Sequence, residues 1–369
     1  MCNIKNNFNP LITITVFTLF AISCKAVIKK ESTAAIPSPQ RYHSCIAAFY
    51  NFENFYDTVN NTTIDDEEFL PAGAKHYTSN IYHKKVSNLA AVVDKIGAEF
   101  NDDGPAILGA VEIENDTVLN DLTAHPLLKN KNYLFVHENS KDARGIDVAL
   151  LYQPKYFTPL AHKSLTVELP SKNKLPYFTR DILYVKGILL KDTVHIYVNH
   201  WPSRRGGQKR SMEARTKAAK VCRAHINEVL AASPTAKIMV MGDLNDNPTD
   251  YSVSHALQSS GGLKMIKKSD LYNPWVEILA KGNGTLANRD AWGIFDQILV
   301  SQNWLPPLYQ GRLFLGSSHI FKAFFMIEHQ GRFKGYPLRT WDGNQFRDGF
   351  SDHFPTFVVL LEKIEEKMQ

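Results

Sequence analysis

Short apolar runs recur along this chain, and each ends at or beside acidic, amide or histidine side chains. Seven such places occur between residues 44 and 361. A single acid at a strand end is commonly a helix cap or a turn residue. Seven in one chain are hard to explain in that way, because strands that end at one edge of a sheet bring their terminal side chains into one cleft.

Helical patterns separate the apolar runs. Apolar residues spaced three or four apart predict a helix from Tyr82 to Phe100 and a second one from Lys209 to Ala232. Strands are predicted at 45–52, 105–113, 133–137, 146–152, 182–190, 194–200, 238–241, 294–300 and 356–360. Residues 301–350 are aromatic and Gly-rich, which favours a long functional loop region with room for a hairpin. The mixture predicts an α/β protein with more than one sheet layer.

The N-terminal segment carries an uncharged apolar run, Leu11–Ser23. It is shorter than the roughly 18 apolar residues of a membrane span, and it fits the core of a secretory signal. Small residues before Cys24 favour a bacterial lipoprotein; ordinary secretion and a buried strand are the alternatives. We therefore expect a signal peptide at 1–23, a lipidated tether at 24–42, a domain at 43–364, and a location in the periplasm or at the cell exterior.

Two cysteines, Cys45 and Cys222, remain in the predicted domain without metal-type spacing. Buried thiols and a single disulfide are both compatible with an exported chain. The formal net charge of +5 is compatible with a polyanionic substrate but does not identify one.

The chemistry of the strand-end residues indicates a hard metal ion. Oxygen ligands with amides and histidines, and no cysteine cluster, suit Mg²⁺ or Mn²⁺ rather than structural zinc. A divalent ion neutralises charge at a phosphate and lowers the pKa of bound water. Two histidines, each beside a carboxylate, can then serve as base and acid.

The ordered motifs NFEN, LGAVEIEN, NH, GDLNDNP, FDQILVS and SDH resemble the endonuclease/exonuclease/phosphatase superfamily over about residues 44–361. This resemblance implies two mixed β-sheets packed as a four-layer sandwich with helices on the outer faces. It also implies a Mg²⁺- or Mn²⁺-dependent phosphodiester hydrolase. The motifs argue against the inositide phosphatases, because FDQILV replaces their WCDR-type motif. His200, where apurinic endonucleases usually carry Tyr, argues against that branch.

Carried over residue by residue, the resemblance implies a role for each motif. The metal set comprises Glu112, with Glu114 as its rival, a second carboxylate from Glu53, and Asp352. The residues that act on water, phosphate or protons are Asn51, His200, Asp243, Asn245, Asp296 and His353. Within these, Asp296 orients His353, which is the base or contacts the phosphate, and His200 protonates the leaving oxygen. From its position we select Asp147 as the carboxylate partner of His200; a capped turn is the alternative.

Arginines beside these motifs are candidate phosphate contacts. Arg144 precedes Asp147, and Arg204 and Arg205 follow His200. A later group of aromatic and basic residues precedes SDH at 332–347. We expect a sequence-nonspecific nuclease acting on DNA or RNA. The alternatives are a sphingomyelinase-like or small-phosphoester hydrolase and a non-catalytic polyanion-binding lipoprotein. No protein partner is predicted.

Overall fold

The computed structural model describes residues 41–169, 177–263, 266–306 and 311–364. The predicted signal segment and Cys24 lie outside these residues. From Arg41 onward the described chain is one compact unit. Within the described ranges, no helix has the length and apolar character that crossing a membrane requires.

Strands and helices alternate irregularly along the described chain. The strands are β1 Tyr42–Phe55, β2 Pro105–Ile113, β3 Leu134–His137, β4 Asp147–Tyr152, β5 Phe157–Leu165, β6 Glu168–Leu169, β7 Tyr177–Phe178, β8 Ile182–Leu189, β9 Asp192–His200, β10 Lys237–Asp243, β11 Ser259–Ser260, β12 Leu271–Tyr272, β13 Leu286–Asn288, β14 Ala291–Gly293, β15 Asp296–Ser301, β16 Leu313–Ile320, β17 Trp341–Asp342, β18 Gln345–Phe346 and β19 Thr356–Lys363. The α-helices are α1 Ser79–Lys95, α2 Asp116–Ala124, α3 Pro126–Lys129, α4 Gln208–Ala232 and α5 Trp275–Ala280. Short helical turns of other types lie at 67–69, 252–256, 302–304, 324–326 and 331–333.

Two large mixed sheets form the framework. The first has the strand order β16-β19-β1-β2-β4-β3, and the second has the order β11-β12-β15-β10-β9-β8-β5. The pairs β1–β2 and β9–β10 are parallel, and their main neighbours are antiparallel. The small pairs β6–β7, β13–β14 and β17–β18 lie outside these sheets.

Alternation along the central strands builds a core on both faces of each sheet. In β1, Cys45 and Phe49 belong to the cluster between the sheets, together with Met239 and Met241 of β10. The intervening Ala48 packs outward with residues of α1. Because successive side chains of a strand point to opposite faces, a strand covered on both sides is a continuous apolar run. The predicted four-layer sandwich is confirmed.

Gly109 of β2 marks a close approach between the two sheets. A β-carbon at this position would lie 2.4 Å from the sulfur of Met241 in β10. Glycine therefore lets the strands that carry the candidate site residues pack closely.

The structure corrects two sequence predictions and decides between the two alternatives for the cysteines. The first helix begins at Ser79 and ends at Lys95 rather than spanning 82–100. The predicted loop region 301–350 contains the edge strand β16, which pairs with β19, whereas the hairpin for which the prediction left room is present as β17–β18. Leu313 and Leu315 are the only buried residues of β16, and a glycine and two serines follow them, so this strand lacks a continuous apolar run. Cys45 and Cys222 are free buried thiols in different core clusters, so the disulfide alternative is wrong.

Candidate active site

Strand register brings three predicted residues side by side at one edge of the second sheet. Asp243 ends β10, and it pairs with His200, which ends the parallel strand β9. On its other side Asp243 pairs with Asp296, which begins the antiparallel strand β15. Residues far apart in sequence therefore become neighbours across the sheet.

Asn51 of β1 joins this edge to the first sheet. Its side-chain nitrogen donates to Asp243 Oδ2 at 3.1 Å and to Glu112 Oε1 at 3.3 Å. Its amide oxygen accepts from the backbone nitrogen of Glu53 at 2.9 Å. Asn51 is fully buried, so its amide holds two carboxylates from different strands at a fixed separation.

The backbone around these side chains is strained. Glu53, Asn54, Glu112 and Asn245 have φ values of 50°, 53°, 63° and 51°, in the left-handed region that non-glycine residues rarely occupy. Each such residue costs on the order of 1–3 kcal/mol, and strain of this kind concentrates at functional sites. A register shift between Asn51 and Phe55 turns the end of β1, so that the nitrogen of Asn54 donates to Glu112 Oε2 at 2.8 Å.

Glu112 and Glu114 occupy different surroundings although they are two residues apart. Glu112 faces Asn51, and its Oε1 lies 3.7 Å from His200 Nε2. Glu114 instead accepts from the backbone nitrogen of Asp57 at 2.7 Å and lines a separate cavity with Asp147. Burial, together with the negative charges of Asp57 and Asp66, raises the pKa of Glu114 to about 7. The geometry therefore favours Glu112 over its rival.

His200 is buried among charged groups. Its Nε2 lies 3.7 Å from Glu112 Oε1 and from Asp243 Oδ2, and its Nδ1 has no hydrogen-bond partner among the described residues. Burial lowers the pKa of His200 well below its ordinary value, and the positive charges of Arg180 and Arg144 lower it further. The imidazole is therefore neutral at neutral pH.

The prediction that Asp147 holds His200 is wrong. Asp147 Oδ1 accepts from the backbone nitrogen of Ser140 at 2.9 Å, and its Oδ2 lies 3.7 Å from His137 Nε2. Asp147 begins β4 and pairs with Ile113 of β2, and neither of its carboxylate oxygens lies within 4 Å of a nitrogen of His200. The alternative of a capped turn describes Asp147 better.

His353 and Asp296 form the imidazole–carboxylate pair that the resemblance implies. His353 Nδ1 lies 2.7 Å from Asp296 Oδ2, and both residues are buried. Ser351 positions the segment, because its hydroxyl donates to the carbonyl of Asn51 and accepts from the nitrogen of His353. Burial alone would lower the pKa of His353, but the charge and hydrogen bond of Asp296 outweigh it and raise that pKa well above its ordinary value.

Asp243 lies between the two histidines. Its Oδ2 is 3.7 Å from His200 Nε2 and 4.0 Å from His353 Nε2, and its Oδ1 accepts from the nitrogen of Asn245 at 2.9 Å. Burial, reinforced by the charges of Asp296 and Glu112, raises the pKa of Asp243 to about 7, although His353 opposes this rise. The side chain of Asn245 donates to the carbonyl of Trp201.

The residues around Asn51 fit a divalent cation. Among the described residues, no lysine or arginine lies within 4 Å of the carboxylates of Glu112 or Asp243, and their basic neighbours within that distance are the imidazoles of His200 and His353. Asp243, Asp296 and His353 also have ligand-type atoms within 4.8 Å of one another. The His353–Asp296 hydrogen bond already occupies Nδ1. We therefore favour the carboxylate oxygens of Glu112 and Asp243, which suit a hard ion, with the amide of Asn51 holding the two side chains together.

Glu53 is turned away from this set. Its carboxylate accepts from the backbone nitrogens of Thr340 and Trp341 at 2.6 and 3.2 Å. The buried Lys85 donates to the hydroxyl of Thr340 and to the carbonyl of Phe350. Burial and the charge of Asp352 raise the pKa of Glu53 to about 7. The prediction of Glu53 as a metal ligand is wrong, because both carboxylate oxygens hold the loop that precedes SDH.

Asp352 remains a candidate ligand. Its side chain is 37% exposed, and its Oδ1 lies 3.9 Å from His353 Nε2. No hydrogen bond within the described part of the chain restrains this carboxylate, so it is free to contact a cation or substrate.

The three arginines predicted to contact phosphate differ in whether their guanidinium groups are free to bind it. Arg204 binds Asp246 at 2.9 Å, Asp250 at 2.5 Å and the carbonyl of Asn245 at 2.9 Å. Its prediction as a substrate contact is wrong, because internal carboxylates occupy the guanidinium. Arg205 is exposed, and half-exposed Arg144 contacts Asp142 at 3.4 Å.

Sequence reasoning missed Arg180. It is buried, donates to the carbonyl of Trp201 at 2.8 Å and lies 3.3 Å from Asp142, and its Nε has no partner among the described residues. Its charge is the largest electrostatic contribution to the lowered pKa of His200. The available signal was the charged pair Arg180–Asp181 directly before an apolar strand.

Comparisons with known proteins extend these observations. The model of the Endonuclease/Exonuclease/phosphatase family matches residues 45–363. A family protein from Bacteroides thetaiotaomicron shares the fold at a TM-score of 0.53 and 17% identity, covering 88% of this chain and 100% of that one. The mannosyl-6-phosphatase Bt3783 of the same organism has a TM-score of 0.52 at 16% identity, and the match covers 86% of this chain and 99% of that one. TDP2 of D. rerio, in complex with a single-strand DNA product, has a TM-score of 0.51 at 13% identity, and the match covers 86% of this chain and 98% of that one. No curated protein matches significantly.

Proposed function

Because the chain belongs to the endonuclease/exonuclease/phosphatase family, we propose that it is a metal-dependent, sequence-nonspecific nuclease that hydrolyses DNA or RNA outside the cytoplasm. Hydrolysis of phosphodiesters or phosphate esters is the reaction of this family. The observation that carries the proposal is the convergence of His200, Asp243 and the His353–Asp296 pair at one edge of the second sheet. A protein that only bound a polyanion would not need this set.

Glu112 and Asp243 would hold the metal ion. When bound, a divalent ion neutralises charge on the phosphate and lowers the pKa of water. We assign Mg²⁺ or Mn²⁺ from the oxygen donors. Asn51 keeps the two carboxylates together through its two hydrogen bonds, and the nitrogen of Asn54 orients Glu112.

The two histidines start in different protonation states. Neutral His200 can accept a proton at Nε2, and cationic His353 can donate to a phosphate or leaving oxygen. The resemblance implied His200 as the acid, whereas the opposite pKa shifts of the two histidines support His200 as the base. Asp296 contacts Nδ1 of the His353 cation, and Nε2 of the same ring faces Asp243 and Asp352.

Replacing His200 with Ala tests this proposal. We expect cleavage of plasmid DNA or RNA to require Mg²⁺ or Mn²⁺, to stop with EDTA, and to fall about 10²–10⁴-fold in the variant, the usual contribution of a general acid or base. Gel assays with sphingomyelin hydrolysis in parallel measure this. Hydrolysis of sphingomyelin while the nucleic acid stays intact would show that the substrate is a lipid rather than a nucleic acid. Full nuclease activity in H200A would refute the assignment.

A phospholipid substrate is the second candidate. Phe324 is 79% exposed and Phe325 is 40% exposed, and the ring of Phe325 lies 5.2 Å from that of Phe350, directly before SDH. Exposed aromatic side chains near a site suit contact with a lipid surface. The sphingomyelin assay distinguishes this candidate from the nuclease.

We also propose export and lipid attachment through Cys24, supported by the apolar run that precedes it. Replacing Cys24 with Ala is expected to move the protein from the membrane fraction to a soluble fraction, with the released enzyme keeping its activity. Fractionation followed by immunoblotting checks this. An unchanged membrane fraction would contradict attachment at Cys24.

A further inference from the structure

A cavity separate from the residues described above lies between the β13–β14 hairpin and the chain that leads to Thr340. Its volume is about 420 Å³, which lies within the roughly 300–1,000 Å³ of small-molecule sites. Its lining includes Arg289, Arg332, Arg339, Phe333 and Tyr336. We term it the arginine cavity.

The positive charge of the arginine cavity is largely uncompensated. None of its three arginines has a carboxylate within 4 Å among the described residues. Asp290, the one acid among the described lining residues, accepts a hydrogen bond from the hydroxyl of Tyr336 at 2.7 Å. Arg289 and Arg332 are exposed, so their guanidinium groups are available. Guanidinium groups bind phosphate oxygens with two parallel hydrogen bonds, so a phosphate is the anion this lining suits.

An aromatic ring lies among the arginines. The guanidinium carbons of Arg332 and Arg339 are 5.6 and 5.9 Å from the centre of the Phe333 ring. Aromatic faces beside basic groups hold single-stranded nucleic acids, because bases stack while cations contact the backbone. The chemistry of the lining thus suits a phosphate joined to a flat aromatic group.

The walls of the arginine cavity are attached to the candidate catalytic segments. The nitrogen of Phe354, next to His353, donates to the carbonyl of Thr285 at 2.8 Å. Trp292 of β14 stacks on Phe354 with ring centres 6.3 Å apart. Thr340, which follows Arg339, donates to Glu53 at 2.6 Å. A ligand in the cavity therefore contacts chain that is hydrogen-bonded to two segments carrying site residues, the one that contains His353 and the one that contains Asn51 and Glu53.

From this placement we infer that the arginine cavity binds a second phosphate of the substrate, one that is not cleaved, with a neighbouring base against Phe333. The substrate class is then a single-stranded polynucleotide rather than an ester with one phosphate. The identity of the substrate rests on the proposed function, whereas binding at the cavity can be measured without turnover.

The first experiment measures binding by the full chain in detergent, with His200→Ala and EDTA to prevent cleavage. Fluorescence anisotropy of a labelled single-stranded oligonucleotide gives Kd. The R289Q/R332Q pair is expected to raise Kd at least about tenfold and to reduce its salt dependence, because two phosphate contacts are lost. The matched control, K217Q/K220Q, removes two exposed charges from α4 and should change Kd less than about twofold.

The second experiment measures turnover with His200 intact. R289Q/R332Q should raise KM for the oligonucleotide and leave kcat/KM for bis(p-nitrophenyl) phosphate, which has one phosphate, within about twofold. The inference would be overturned if R289Q/R332Q and K217Q/K220Q changed Kd equally, if R289Q/R332Q left Kd unchanged, or if the protein did not bind the oligonucleotide. Weaker binding in R289Q/R332Q without any nucleic acid cleavage by the parent would support the cavity while refuting the nuclease proposal.

Discussion

Glu112→Gln is expected to lower kcat/KM for phosphodiester hydrolysis by about 10³-fold, equivalent to roughly 4 kcal/mol of transition-state stabilisation. Glutamine preserves the size of the side chain and can still accept from the nitrogen of Asn54. It removes the negative charge that, with Asp243, has no lysine or arginine partner within 4 Å among the described residues. Mg²⁺ or Mn²⁺ binding should weaken in parallel, measured by calorimetry.

The same substitution at Glu114 is the matched control. Glu114 lies two residues away, but its carboxylate accepts from Asp57 and faces another cavity. We expect Glu114→Gln to keep activity and metal affinity within about threefold of the parent. Circular dichroism verifies that both variants are folded. A similar loss of activity in both variants, or near-normal activity in Glu112→Gln, would show that Glu112 is not the glutamate that binds the metal ion.

Asp296→Asn is expected to reduce kcat by about 10²–10⁴-fold, the range for loss of acid–base function. Asparagine keeps the shape but removes the charge that stabilises the His353 cation at 2.7 Å. Burial, which lowers the pKa of His353, then acts without its main opposing charge. In the parent, the cationic form persists above neutral pH and is lost as pH rises through the raised pKa. In the variant, the same loss should occur at lower pH.

Two measurements separate this role from simple packing. NMR titration of the His353 imidazole in metal-free protein should show a lower pKa in Asp296→Asn, and the alkaline limb of the kcat–pH profile should move the same way. A variant that loses activity with an unchanged imidazole pKa would indicate that Asp296 positions His353 without controlling its charge. Retained activity would exclude His353 as the proton donor.

Local patterns in the sequence were sufficient to predict most central strands and an α/β protein with more than one sheet layer, whereas the two-sheet sandwich was implied by the family resemblance. Strands such as β2, Pro105–Ile113, are buried on both faces and therefore are continuous apolar runs. The half-exposed β16 lacks such a run, and the loop prediction for its region was wrong. The same reasoning drew attention to Asp243, Asp296 and His353, because each lies at or close to one end of an apolar run. In the structure Asp243 pairs with Asp296, and Asp296 contacts His353.

Only the tertiary structure decided which charged groups meet. Asp147 and His200 both lie at strand ends, but His137 and the backbone nitrogen of Ser140 are the neighbours of Asp147, and Glu112 and Asp243 are those of His200. Arg204 is next to a site motif in sequence, yet two aspartates more than 40 residues away occupy it. Spacing along the chain determines the face of a strand on which a side chain lies. Contacts across sheets and loops depend on register and packing between distant segments, which no local pattern encodes.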